Sequence, residues 1–71
     1  MSMSTNVQQV RMIVDARQQV EAILDRHGIE FGGFTQQAIG WKLEWCFYAG
    51  MDASTATRRI AAEYLSQRRA A

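Results

Sequence analysis

The sequence predicts an all-α fold, a small three-helix domain with helices over about 6–27, 36–49 and 53–68. Three observations carry it. Apolar residues recur at helical spacing in three stretches, and glycines fall between those stretches. No run alternates apolar and polar residues as a half-buried strand does. Proline is absent, so nothing in the chain demands a helix break or a polyproline segment.

The first helix opens on Thr5-Asn6-Val7-Gln8, where Thr5 and Gln8 have the spacing of a capping box. Val7, Val10, Ile13, Val14, Val20, Ile23 and Leu24 then form one broad arc, the face expected to pack. Arg26 and His27 occupy the last turn, where cations suit the helix dipole. Gly28 is placed as the residue after the C-cap, with Ile29 folding back on Leu24 in a Schellman stop. The loop GIEFGGF leads to Thr35, the expected N-cap of the second helix, with Phe34 and Ile39 as its hydrophobic staple. That helix stops at Gly50. Asp52 caps the third, which carries Ala53, Ala56, Ile60, Ala61, Tyr64 and Leu65 on one side.

At 71 residues the chain is a single domain, residues 1–71, with short disordered ends expected at about 1–4 and 69–71. A chain this short buries only about 60% of its unfolded surface, and small scaffolds are often completed by self-association. The single Cys46 allows no internal disulfide, which fits a reducing compartment. The opening MSMSTNVQQV lacks the charged and apolar regions of a secretion signal. The longest apolar run, Trp45 to Ala49, is far short of the roughly 20 residues of a membrane span. The expectation is a cytoplasmic protein without a membrane partner. Eight Lys and Arg against seven Asp and Glu give a net charge of +1, so bulk charge points to no polyanion.

The second helix is apolar on two sides. Ile39, Leu43, Cys46 and Phe47 gather on one, while Trp41, Trp45 and Tyr48 gather with Ala38 and Ala49 on nearly the opposite one. A surface helix needs one apolar stripe, so this helix is sandwiched. Either both stripes are buried inside the monomer, or the tryptophan stripe is an interface. Three further aromatics of about 150–250 Å² each exceed what so small a core absorbs, which favours the interface. Part of it is expected to be a homodimer seam. Lys42, in the gap between the faces, and Arg17, inside the arc of the first helix, are the polar residues expected at its edge. For Arg17 the plainer reading is a snorkelling side chain paired with Glu21.

Residues 45–60 resemble the helix-turn-helix of lac-repressor-type regulators. Cys46, Gly50, Met51, Asp52 and Ala56 take the positions of its small residue, turn glycine, apolar residue, N-cap and second-helix core residue. The resemblance implies that Ala53, Ser54, Thr55 and Arg58 face a DNA major groove and Arg59 a phosphate. The chain departs from the pattern at Arg59, where an apolar residue belongs, and at Phe47 and Tyr48, where polar residues do.

Catalysis has no residue set to rest on. His27 lies at a helix end, and Cys46 lies among apolar neighbours with no base placed beside it. Asp25 and His27 point to different helix faces, so no metal site is expected. The pair in FGGF lacks the strand and lysine of a phosphate loop. The expected protein is not an enzyme, takes no cofactor, and regulates or inhibits a protein client by blocking it sterically, in the manner of a phage or plasmid accessory protein. The alternative is a dimeric DNA-binding transcription regulator working through Ser54, Thr55, Arg58 and Arg59.

Overall fold

A computed structural model describes the backbone of residues 2–70 and the side chains of residues 7–67. Over these residues the chain is all-α: α1 (Ser2–Arg26), α2 (Gly33–Tyr48) and α3 (Ala53–Ala70). The molecule is elongated, 46 × 22 × 17 Å. Each helix packs against both others, α1 with α3 most extensively.

Both inter-helix stops form as expected. Gly28 has φ +73°, with its N–H on Asp25 O at 3.0 Å and the Ile29 N–H on Leu24 O at 2.9 Å. Gly50 repeats the motif at φ +90°, with Gly50 N–H on Phe47 O at 3.0 Å and Met51 N–H on Cys46 O at 3.1 Å. Ile29 and Met51, the residues that follow, pack on the core, as a Schellman motif requires. The two helix exits are therefore built the same way.

The helix entries differ from expectation. α1 begins at Ser2, so the backbone of Thr5 lies inside the helix and does not cap it. With no glycine or proline upstream, propagation adds one hydrogen bond per residue, and a capping signature alone does not stop it. The helices run through 2–4 and 69–70, while Met1 and Ala71 lie outside the described residues. α2 begins at Gly33, with Gly32 as N-cap in an extended conformation and no side-chain cap. Gln36 N–H reaches Gly32 O at 3.1 Å, which draws Phe34 and Thr35 into the first turn. Thr35 is therefore not the cap. Phe34 points to solvent and does not form a staple with Ile39. Glycine is tolerated at an N-cap, so the entry needs no side-chain oxygen.

Val20 and Leu24 of α1, Ile39 and Leu43 of α2 are fully buried, joined by Cys46 and Ile60. Ala16, Ala56 and Ala61 fill the remaining buried positions, where small side chains let helix backbones approach. The expected arc of α1 is buried only in its C-terminal part; Val7 and Val10 are each 59% exposed. Length explains this. A 25-residue helix is about 37 Å long, against about 24 Å for the 16 residues of α2 and about 27 Å for the 18 of α3, so α1 outruns both neighbours. No described helix is long and apolar enough to cross a membrane.

Candidate protein-binding face

The two faces of α2 have opposite fates. Ile39, Leu43 and Cys46 are buried and Phe47 half-buried against the core. On the other side Trp41 is 57%, Trp45 76% and Tyr48 75% exposed. Phe34, drawn into the helix by the Gly32 entry, joins them at 79%. Including half-buried Ala38, the stripe reads Phe34, Ala38, Trp41, Trp45, Tyr48. Its steps of four, three, four and three are the spacing found along the seam of paired helices. Phe34 was missed in the sequence because it was assigned to the loop; the 4-3-4-3 spacing was the signal that includes it.

The face is held firmly from behind. Lys42 Nζ donates to Glu63 Oε2 of α3 and sits 4.6 Å from the centre of the Tyr64 ring. The hydrogen bond to Glu63 raises the Lys42 pKa above its ordinary value, so the ammonium stays charged through the neutral range. This residue, expected at the edge of the interface, braces α2 against α3. Arg17 Nε faces Glu21 Oε2 at 3.3 Å on its own helix, an ion pair in which both atoms are buried without an aligned hydrogen bond. That is the snorkelling pair expected as the plainer reading. At the end of α2, Tyr48, Phe47 and Glu44 meet Gln9, Val10 and Ile13 of α1 in an open groove of about 230 Å³. The groove extends the apolar surface from α2 onto α1.

The residues of the DNA-reading alternative lie on the first two turns of α3. Ser54, Thr55, Arg58 and Arg59 are all exposed, while Ala56 is fully buried. Asp52 is the cap: its Oδ1 accepts from the Thr55 hydroxyl at 2.5 Å and its Oδ2 from the Thr55 N–H at 3.4 Å. These bonds, the hydroxyl's first, hold the Asp52 carboxyl below its ordinary pKa. Thr55 is thus engaged in the cap, which leaves Ser54, Arg58 and Arg59 as the polar groups turned outward. The side chains of Arg68 and Arg69 lie outside the described residues.

Cys46 is a buried free thiol, and His27 is exposed at the end of α1. Among the described residues no three His, Cys, Asp or Glu side chains gather at one point. What the surface offers is shape and apolar area. No protein-family model matches the chain, and no curated protein or solved structure matches it either.

Proposed function

We propose that the chain is a small regulatory protein, without catalytic activity of its own, that acts by docking the outer face of α2 on another protein and blocking it. The observation that carries this is the exposure of Phe34, Trp41, Trp45 and Tyr48 along one helix whose opposite side is committed to the core. Contiguous apolar surface of this kind marks interaction sites, and Trp and Tyr are the side chains that most often dominate binding. The mode is a helix laid into an apolar groove, read at i, i+4 and i+7 by Trp41, Trp45 and Tyr48. Lys42 and Arg17 already hold carboxylates within the chain, so the aromatics are the anchors and the two cations support them from the rim. The mechanism is steric occlusion. Action in the cytoplasm, and an origin as a phage or plasmid accessory protein, belong to the same proposal.

The second reading, a dimeric DNA-binding regulator, is favoured by the left-handed turn at Gly50, the Asp52 cap and the exposed Ser54, Arg58 and Arg59. One experiment separates the two. Tagged wild-type, Trp45→Glu and Arg58→Ala chains are incubated with native lysate of the source organism, with and without nuclease. A near-stoichiometric protein held by wild type and Arg58→Ala, lost with Trp45→Glu and indifferent to nuclease, is the expected result. Discrete DNA fragments held by wild type and lost with Arg58→Ala, with no protein enriched, would overturn the proposal.

A further inference from the structure

Three features invite a ligand: the aromatic stripe of α2, the groove between α1 and α2, and the buried Thr57 hydroxyl, which lacks a hydrogen-bond partner. Thr57 is closed in by its neighbours at 4% exposure, and the groove is a continuation of the stripe. The stripe itself says what covers it. We propose that it is covered by a second copy of this chain, α2 lying antiparallel on α2 of the partner about a two-fold axis at Trp41. The inference rests on reading the stripe as a protein-binding face and names the protein that occupies it when no client is bound.

Area is the first argument. A compact monomer of 8.1 kDa exposes about 4,500 Å². This chain, drawn out as it is, exposes 5310 Å², above that figure, and a standard stable interface takes about 800 Å² from each partner. The overhanging start of α1 shares in that exposure, and its exposed Val10 lines the groove that joins the stripe at Tyr48.

The order of side chains fits the same pairing. Reversed about Trp41, the stripe sets Phe34 against the partner's Tyr48, Ala38 against the partner's Trp45, and Trp41 against the partner's Trp41. The one small residue meets a bulky one, and its two copies give a large-against-small layer on each side of the axis. Such alternation across facing positions is how a seam fills without voids. A parallel pairing stacks Trp45 on Trp45 and leaves Ala38 facing Ala38, one layer crowded and one empty.

Charge fits it too. A two-fold axis at Trp41 brings two Lys42 side chains near one another, which two bare ammonium groups would oppose. Each is already held by Glu63 of its own chain, so the pairs meet without that repulsion. Glu44, on the other rim, comes opposite the partner's Gln37, a donor it can accept from.

Sedimentation equilibrium of the full chain tests the proposal. Wild type is expected as a dimer at high micromolar concentration, dissociating on dilution. Trp45→Glu is expected as a monomer throughout, with unchanged helical circular dichroism because Trp45 is outside the core. Ala38→Phe crowds the partner's Trp45 and weakens the dimer by roughly tenfold or more, the order that overpacking a filled contact gives. Register is read by oxidising a mixture of Gln37→Cys and Glu44→Cys chains, each with Cys46→Ala: the antiparallel seam cross-links unlike chains. A monomeric wild type, a dimer that survives Trp45→Glu, or a mixture that yields no unlike cross-link would each overturn the proposal. A monomeric wild type that still captures a client through Trp45 removes the dimer alone; a dimer that captures nothing removes the client alone.

Discussion

Gly28 and Gly50 each hold a left-handed φ with open space where a Cβ would stand, so a side chain there meets strain and no collision. Gly50→Ala is expected to lower stability by roughly 1–2 kcal/mol, the left-handed penalty, read as a lower denaturant midpoint with an unchanged slope. Asp52 gives a pH signature. Its folded pKa lies below the ordinary 3.8, so its contribution is fully present above that value and is lost as pH falls through the folded pKa. Asp52→Asn keeps the acceptor and should flatten this acid limb while retaining most of the melting temperature; Asp52→Ala should lower it at neutral pH. Lys42 has the opposite sign, its contribution present below 10.5 and lost as pH rises through the raised folded value. The Lys42–Glu63 pair is partly open to solvent, so Lys42→Ala should cost well under about 1 kcal/mol. At this scale the sequence was readable where backbone conformation needs a specific residue, as at Gly28, Gly50 and Asp52. It was misleading at Thr5 and Thr35, because cap-forming residues also fit inside a first turn.

α2 concentrates the information at the level of elements. Its two apolar faces were visible from spacing alone, but periodicity does not say which side the other helices take. Packing decided it: Leu43 is fully buried and Trp45, two residues on, is mostly exposed. The same helix should therefore answer two truncations very differently. Leu43→Ala is expected to cost about 2–5 kcal/mol, a large part of a small domain's stability. Trp45→Ala, measured by chemical denaturation at concentrations too low for association, should stay within about 0.5 kcal/mol of wild type. Equal losses would mean that Trp45 belongs to the core. α1 shows the limit of wheel arguments. Its arc was legible in part: Val20 and Leu24 are deeply buried, but so is Ala16, which the arc left out, and Val7 and Val10 are uncovered because the helix outruns its neighbours.

As a whole the molecule is a thin, elongated bundle, 46 × 22 × 17 Å, in which, among the described residues, nine apolar ones, three of them alanines and one a cysteine, form the buried core. Much of its large apolar area, Trp41, Trp45, Tyr48 and Phe34, is turned outward. A net charge of +1 gives little long-range attraction for a polyanion, so in the proposed docking the shape of that apolar face would set specificity. In the proposed function the stripe is open to solvent in the isolated chain and is covered by another protein. The most direct measurement is acrylamide quenching of the wild-type chain, whose two indoles, Trp41 and Trp45, both lie in the stripe, followed from dilute to concentrated protein. The expected result is a red-shifted emission and near-free quenching at high dilution, with protection growing as concentration rises. Indoles that are blue-shifted and shielded at every dilution, in a chain whose mass is that of a monomer, would contradict the proposal.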